Sequence, residues 1–241
     1  MDLGILGIEA TRRCNYRCKH CYLGDAQQLD LNPDALRPIL DYFPYIHQIS
    51  LYGGETMTSP TAVKIVRDVL RESKAHFGGL SLVTNGSIYN KEILDTLGDI
   101  HEMSDKQRDG EGVQITFSND YYHRLEEKRL GITRAQIWGN YQKMRETHPQ
   151  FTYEYRKFEP RKELLVFPIG RGKLIASPYL RAPNLDFTLY GNKLECFTIN
   201  AKGKAIKSNC STTYFDADTG DNYGDVTTTP LQDIFAKHLE Q

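Results

Sequence analysis

Cysteines are the residues of this sequence whose spacing most clearly indicates chemistry. The chain has five of them, and Cys14, Cys18 and Cys21 lie within one stretch of eight residues. Thiols scattered through a core, or paired in a small secreted domain, would be distributed differently. Thiolates this close together are typical metal ligands, so we expect a metal centre near the N-terminus.

Two kinds of metal centre fit the three clustered thiols. A four-iron cluster normally takes four ligands, so a loop that supplies three leaves one iron open to a ligand from outside the protein. Catalytic metal sites share such an open position. The alternative is a structural zinc site in which His20 or one of the distant cysteines completes a tetrahedron. The triad alone leaves both alternatives open.

Three predicted strands each end in a polar segment, at the edge where a parallel sheet binds ligands. Glycine lets the backbone approach a ligand closely, and a carboxylate such as that of Glu55 pairs with an ammonium group. Taken singly, each segment also has a plainer interpretation as a tight turn, a loop turn or a helix cap. The segments are Gly53-Gly54-Glu55, Thr84-Asn85-Gly86 and Ser118-Asn119-Asp120.

The elements that must position these residues alternate between strands and helices. Hydrophobic runs predict strands over residues 3–9, 46–52, 80–84, 113–118, 151–156 and 164–167. Helices are predicted to begin at Pro33, Pro60 and Lys91 and after Thr133, with Asn32, Ser59 and Thr133 as caps and Gln136 in a capping box. This alternation predicts an α/β fold with a parallel sheet, a partial (β/α)6 TIM-like barrel.

The pattern changes after Phe167, where glycine and proline interrupt short apolar runs. Runs at residues 197–199 and 205–207 flank a Lys202-Gly203 turn and predict a small hairpin. Thr229-Pro230 then begins a short terminal helix. We therefore expect residues 1–180 to form the barrel and residues 181–241 to form a small C-terminal appendage that contains the hairpin.

Composition narrows the class of protein. The 241 residues are 39% hydrophobic and 25% charged, as in an ordinary globular protein, and the formal net charge of −1 gives no overall field for nucleic acid. No apolar run approaches the roughly 18 residues that span a bilayer, and the apolar start is too short for a signal peptide. The expectation is a cytoplasmic protein without a membrane partner.

The C-x3-C-x2-C spacing, with the aromatic His20 before the last cysteine, resembles the radical S-adenosylmethionine superfamily. The three polar segments match that family in the same order. Residues 167–171, Phe-Pro-Ile-Gly-Arg, resemble a late-strand segment of many members. Thr56 departs from the pattern, because many relatives have proline after the acid. The resemblance covers residues 3–170.

The resemblance implies the cofactors and their ligands. One 4Fe–4S cluster is held by Cys14, Cys18 and Cys21, and S-adenosylmethionine binds to its open iron. An electron from the reduced cluster then cleaves a carbon–sulfur bond, and the resulting 5′-deoxyadenosyl radical abstracts a hydrogen atom from a substrate. The cosubstrate site implied by the resemblance consists of Gly53, Gly54 and Glu55 at the amino group, Thr84 and Asn85, and Ser118 and Asn119 near the ribose or carboxylate.

The C-terminal region resembles a SPASM or twitch extension of radical enzymes that modify peptides. Full versions bind auxiliary clusters through at least four cysteines, whereas this chain has only Cys196 and Cys210 left. The resemblance thus indicates a degenerate extension without a cluster. Two buried thiols acting as small hydrophobes explain the pair best, and a thiol that donates a hydrogen atom or electron to substrate is the alternative.

The leading hypothesis for function is radical modification of a peptide or protein. Its expected partners are an electron donor of the flavodoxin or ferredoxin type and a separate leader-binding protein, since the first strand begins at Leu3. The same chemistry on a nucleotide or small molecule is the alternative, favoured by a basic stretch over residues 156–181 that also fits a solvated face. A zinc-stabilised nucleic-acid-binding module is a third hypothesis, of another class.

Overall fold

Parallel strands form the central sheet in the computed structural model, which describes residues 1–21, 23–106, 108, 112–156, 171, 189–190, 193–206 and 223–239. The first five strands are β1 Asp2–Thr11, β2 Tyr45–Gly53, β3 His76–Thr84, β4 Gly112–Phe117 and β5 Thr152–Tyr155. They pair in parallel in the order β5-β4-β3-β2-β1. Strands that are consecutive in the chain are thus neighbours in the sheet, and the predicted α/β fold is confirmed.

Helices connect these strands, and their predicted caps are confirmed. They are α1 Pro33–Tyr42, α2 Pro60–Glu72, α3 Lys91–Met103, α4 Tyr121–Leu130 and α5 Arg134–Thr147, with a short 3-10 helix at Thr56–Thr58. The Asn32 and Ser59 side chains accept hydrogen bonds from backbone amides in the first turns of α1 and α2. Thr133 and Gln136 form the capping box of α5. No described helix is long and apolar enough to cross a membrane.

Helix α4 was not predicted from the sequence. Asp120 caps it by accepting from the backbone amides of Tyr122 and His123, and Gly131 ends it with a φ of 70°. The side chains that this helix buries are Glu126 and Glu127 rather than an apolar stripe. Because hydrophobic periodicity is the main sequence signal for a helix, acids on the buried face conceal it.

Apolar side chains at matched positions of the strands form the centre of the core. Leu6 lies opposite Ile49, which lies opposite Leu80 and then Val113, and each of the four is at most 1% exposed. Burying each such side chain contributes about 1.5–3 kcal/mol. Since a shift of one residue would turn the whole row to the other face, this row sets the register of the strands and the level at which each strand ends.

The C-terminal region adds strands to the same sheet. It contributes β6 Leu189–Tyr190, β7 Lys193–Ile199, β8 Lys204–Ile206 and β9 Gly224–Asp225, followed by α6 Leu231–Leu239. The predicted hairpin is confirmed, since β7 and β8 are antiparallel. The sequence did not predict that β7 also pairs with β1 in parallel, with Phe197 opposite Leu6. The strand predicted at 164–167 and the boundary at 180 lie outside the described residues and stay predictions.

Candidate active site

The cysteine loop, residues 12–21, leaves the end of β1 and lies directly against the end of β2. The Gly54 backbone N–H donates to the Thr11 carbonyl oxygen at 2.7 Å, and the Glu55 N–H donates to that of Arg13, also at 2.7 Å. Within the loop, the Cys21 N–H donates to the Cys18 carbonyl at 3.0 Å. These bonds hold the cysteine loop and the polar segment Gly53-Gly54-Glu55 as one unit.

The two glycines after β2 are required by this close approach. A Cβ atom at Gly53 would collide with the carbonyl oxygen of Thr11, and one at Gly54 would collide with that of Arg13. Gly53 also has a φ of 151°, a conformation that residues with side chains rarely adopt. The glycines therefore let the cysteine loop pack on β2, in addition to the ligand approach that the sequence predicts for them.

One cavity brings together the predicted site residues at the ends of β1 to β4. Cys14, Cys18 and Cys21 line it together with Gly53, Gly54, Glu55, Thr84, Asn85 and Ser118. His20, which the sequence suggested only as a ligand of the alternative zinc site, also lines the cavity. Lining residues that were not predicted at all are Tyr16, Tyr52, Val83, His123 and Arg171. The parallel sheet thus presents polar groups from four strand ends to a single volume, as such sheets do at ligand sites.

Asn119 is the predicted site residue that does not line this cavity. Its side-chain Nδ2 donates to the Arg156 carbonyl at 2.9 Å, and its Oδ1 accepts from Arg124 Nε at 3.0 Å. Both ends of the amide are therefore engaged beside β4 and α4. A cosubstrate contact from Asn119 stays a prediction.

Glu55 is buried and holds several loops together. Its Oε1 accepts from the Met57 backbone N–H at 3.0 Å and the Thr84 hydroxyl at 2.8 Å, and its Oε2 accepts from the Asn85 N–H at 2.7 Å. Burial raises the pKa of Glu55, and these hydrogen bonds oppose that shift. The carboxylate thus orders the ends of β2 and β3, a role that the sequence did not reveal.

A ring of side-chain amides and a hydroxyl joins the cysteine loop to the segment after β3. Asn15 Nδ2 donates to Ser87 Oγ at 2.8 Å, and Ser87 Oγ donates to Asn85 Oδ1 at 2.6 Å. Asn85 Nδ2 closes the ring by donating to Asn15 Oδ1 at 3.0 Å. Each amide in the ring uses both its donor and its acceptor, so the ring fixes the orientation of Asn85 at the cavity.

The three thiols of the loop form a donor set suited to a metal centre. Burial raises the pKa of Cys14 to about 12, and burial followed by the proximity of Cys21 and Cys14 raises that of Cys18. Desolvated thiols that disfavour one another's ionisation become thiolates when a cation binds them. Three such thiols in one cavity, with their side chains on a single loop, fit an iron–sulfur cluster that takes three protein ligands.

Aromatic and acidic side chains of α4 pack against the cysteine loop. The His20 ring stacks on Tyr122 with a centroid distance of 4.7 Å, and His123 Nδ1 lies 2.6 Å from Asp120 Oδ2. Burial lowers the pKa of His20 to about 4, so its ring is neutral near pH 7. Although burial alone would raise the pKa of Asp120, the hydrogen bond and charge of His123 lower it well below its usual range.

Two further buried carboxylates fix the loop from opposite sides. Glu126 Oε2 on α4 accepts the Arg17 backbone N–H at 2.8 Å. Glu9 on β1 pairs with Arg12 at 2.8 Å and accepts the Ala201 backbone N–H at 2.9 Å. The loop is therefore held between α4 and the turn that joins β7 to β8.

Cys196, the C-terminal cysteine that lies among the described residues, does not line the cavity. Cys196 lies on β7 opposite Ile5 of β1, and its Sγ is 3.7 Å from Thr198 Oγ1. Cys210 lies outside the described residues, as does most of the basic stretch over 156–181. The absence of an auxiliary cluster and the degenerate extension therefore stay predictions.

A model of the radical SAM superfamily matches residues 8–146, which extend from β1 to α5 and include the cysteine loop. The AlbA protein of antilisterial bacteriocin subtilosin biosynthesis, from Bacillus subtilis, is 27% identical over 134 residues, 52% of this chain and 27% of that protein. A GTP 3′,8-cyclase from Microcystis aeruginosa is 29% identical over 108 residues, 41% of this chain and 31% of the enzyme. The chain thus aligns with less than a third of either relative.

A solved structure also resembles the fold. Native anSMEcpe with bound AdoMet and Cp18Cys peptide superimposes with a TM-score of 0.51 over 98% of this chain and 80% of its own, at 12% identity. At that identity the likeness concerns the architecture alone. It extends through the C-terminal strands, beyond the region that the family model matches.

Proposed function

The chain belongs to the radical S-adenosylmethionine superfamily, whose enzymes use a 4Fe–4S cluster and S-adenosylmethionine, and we propose that it modifies a peptide or protein. The observation that supports this proposal is the cavity in which the three thiols of one loop meet the polar ends of β2, β3 and β4. A chain that only bound zinc for stability would not need those strand ends around its metal.

Cys14, Cys18 and Cys21 are the proposed cluster ligands. When bound, the cluster supplies one electron that cleaves S-adenosylmethionine and yields a 5′-deoxyadenosyl radical. Three protein ligands leave one iron open for the cosubstrate. The backbone at Gly53 and Gly54 packs on the cysteine loop, so it would lie close to a cosubstrate bound at that iron.

Glu55 and Asn85 are the proposed polar contacts of the cosubstrate. Among the described residues, Glu55 Oε2 accepts one hydrogen bond, so it retains acceptor capacity for an ammonium group. The ring formed with Asn15 and Ser87 holds Asn85 at the cavity. Thr84 and Ser118 line the same wall, and the Ser118 backbone N–H donates to the Thr84 carbonyl at 2.8 Å.

Similarity to proteins that handle peptides supports the proposed substrate. The name of AlbA places it in the biosynthesis of the bacteriocin subtilosin, and the structure that shares the fold was solved with a bound peptide. The proposal includes a flavodoxin- or ferredoxin-type electron donor and a separate leader-binding protein as partners. The SPASM- or twitch-like character of residues 181–241 belongs to the same proposal.

A nucleotide or small-molecule substrate is the second candidate. It is favoured by the similarity to a GTP 3′,8-cyclase over 108 residues. The zinc-stabilised nucleic-acid-binding module is set aside, because the family model covers the cysteine loop and members of the family are enzymes.

The experiment that tests the chemistry is anaerobic reconstitution followed by reaction with dithionite and S-adenosylmethionine. We expect about four iron atoms per chain and formation of 5′-deoxyadenosine. The variant Cys18→Ala should lose both, whereas Cys196→Ala, the same change on β7, should keep both. Zinc in place of iron, or no 5′-deoxyadenosine from a reconstituted cluster, contradicts the proposal.

The substrate class is tested with the same preparation. Candidate peptides and nucleotides carrying deuterium are incubated separately, and transfer of deuterium into 5′-deoxyadenosine is measured together with the mass of each candidate. Transfer from a peptide supports the proposal. Transfer from a nucleotide and from no peptide overturns the peptide assignment in favour of the second candidate.

A further inference from the structure

Arg171 contacts the cysteine loop through both its backbone and its side chain. Its backbone N–H donates to the Cys21 carbonyl at 2.9 Å, and its Nε donates to the Cys18 carbonyl at 3.0 Å. Its Nη1 lies 3.0 Å from Oδ1 of Asp25, just beyond the loop. One side chain thus spans the segment that carries two of the three proposed cluster ligands.

The charge of Arg171 is distinctive in this cavity. Among the described residues that line it, Arg171 is the one with a permanent positive charge, because a guanidinium stays protonated at any ordinary pH. Its side chain is only 18% exposed, whereas its partner Asp25 is 90% exposed. Water and salt therefore screen the anion far more than they screen the cation.

The cation lies beside the sulfur donors. Arg171 lines the same cavity as Cys14, Cys18 and Cys21, and it donates hydrogen bonds to the backbone carbonyls of two of these cysteines. A field that stabilises negative charge on these sulfur atoms also stabilises a cluster bound through them. Net charge, hydrogen bonding and solvent exposure around a cluster are the properties by which a protein sets its reduction potential.

We propose that Arg171 is a positioning residue that holds the cysteine loop and, through its buried charge, raises the reduction potential of the cluster. The inference rests on the proposed cluster at Cys14, Cys18 and Cys21. Reduction by one electron, supplied by dithionite in the test, adds one negative charge to the cluster and neither forms nor breaks a bond. A nearby fixed cation therefore favours the reduced form.

The test is a potentiometric titration of the reconstituted cluster in the absence of substrate. Electron paramagnetic resonance measures the fraction of reduced cluster at each potential. Arg171→Gln removes the charge and keeps an N–H donor, whereas Arg171→Lys keeps the charge and loses the planar fork. Arg13→Gln is the matched control, since Arg13 is on the same loop but pairs with Asp30 and is 37% exposed. Should Arg171→Gln not load a cluster, Arg171→Met takes its place.

We expect Arg171→Gln to lower the ratio of reduced to oxidised cluster at a given potential by about tenfold, which is about 59 mV for a one-electron couple. Arg171→Lys should shift it by less, and Arg13→Gln should leave it unchanged. An unchanged potential in Arg171→Gln, or an equal shift in Arg171→Lys, overturns the inference. The inference is also overturned if Arg171→Gln and Arg171→Met bind no cluster while Arg171→Lys binds one. The positive charge would then be needed to assemble the cluster rather than to set its potential.

Cluster binding by the wild-type chain distinguishes a failure of this inference from a failure of the proposed function. If the wild-type chain binds no iron–sulfur cluster, the proposed function fails. If it binds the cluster and the Arg171 variants titrate like wild type, only the role of Arg171 fails.

Discussion

At the scale of single residues, buried carboxylates decide where the cysteine loop lies. Glu126 is one of the few buried acids among the described residues, and it accepts both the Arg17 backbone N–H and the Arg129 guanidinium, the latter at 2.7 Å. A buried carboxylate is costly unless its oxygen atoms are bonded, so the loop and the helix must keep these contacts. Charge on α4 thereby replaces the apolar contact that usually fixes a helix.

We predict that Glu126→Gln destabilises the cluster-free protein by about 1–3 kcal/mol near neutral pH, because the Arg17 backbone N–H and the Arg129 guanidinium lose their charged acceptor. Unfolding in urea measures the change. Glu146→Gln, the same change on the exposed face of α5, should stay within about 0.5 kcal/mol.

The effect of Glu126 should depend on pH. Burial alone would raise its pKa, but the hydrogen bonds from Arg129 and from the Arg17 backbone lower it below the ordinary value of 4.5. A lowered pKa in the folded state means that the stabilisation is complete above the unfolded pKa and is lost as pH falls through the folded pKa. The difference between wild type and Glu126→Gln should therefore shrink toward acid pH. A constant difference contradicts the role of the charge.

At the scale of elements, the packing of the cysteine loop on the end of β2 shapes the site. The backbone hydrogen bonds from Gly54 and Glu55 to the carbonyls of Thr11 and Arg13 bring the two chains together without intervening side chains. The helices then begin just after the polar segments, because Ser59 caps α2 and Asn90 caps α3. The strand ends, the loop and the helix starts consequently share one edge of the sheet.

We predict that Gly54→Ala destabilises the protein by about 1–3 kcal/mol, because its Cβ would collide with the rigid backbone at Arg13. The same change at Gly139, where no atom lies within 4 Å of the added Cβ in the exposed middle of α5, should stabilise it by about 0.5–1 kcal/mol. Urea unfolding of both variants checks the prediction. Equal changes in the free energy of unfolding for Gly54→Ala and Gly139→Ala would contradict the prediction.

At the scale of the whole molecule, the C-terminal hairpin is part of the central sheet. Phe197 on β7 is 1% exposed, lies opposite Leu6 and packs near Phe43 and Phe235. The hairpin also reaches the site, since the Tyr52 hydroxyl donates to the Ile199 carbonyl at 3.1 Å. The described strands on either side of the predicted domain boundary therefore share one core.

We predict that the chain unfolds in a single cooperative transition and that Phe197→Ala shifts the whole of it, by about 3–5 kcal/mol. Leu130→Ala, at a side chain that is 39% exposed, should cost less than about 1 kcal/mol. Unfolding monitored by both circular dichroism and tyrosine fluorescence shows whether there is one transition. Two separate transitions, with only one of them shifted by Phe197→Ala, would show that the appendage folds as its own unit.

Features that depend on neighbouring residues were predictable from the sequence. The cysteine spacing, the glycine pair with Glu55, the strands from β1 to β4 and the caps at Asn32, Ser59 and Thr133 are such features. In each case a few adjacent side chains determine the backbone or the chemistry, through periodicity, capping or ligand type. The sequence also indicated that the polar segments share an edge, because parallel strands all end on the same side.

Only the tertiary structure decided which distant residues complete the site. Arg171 contacts Cys18 across more than one hundred positions, Glu126 contacts Arg17, and the hairpin contacts Glu9. The structure likewise turned Asn119 toward Arg124 and Arg156, away from the cavity. Such contacts depend on how whole elements pack, and they leave no periodic or local pattern in the sequence. The local sequence thus determined the chemistry of the cysteine loop, and tertiary packing decided the charges and supports around it.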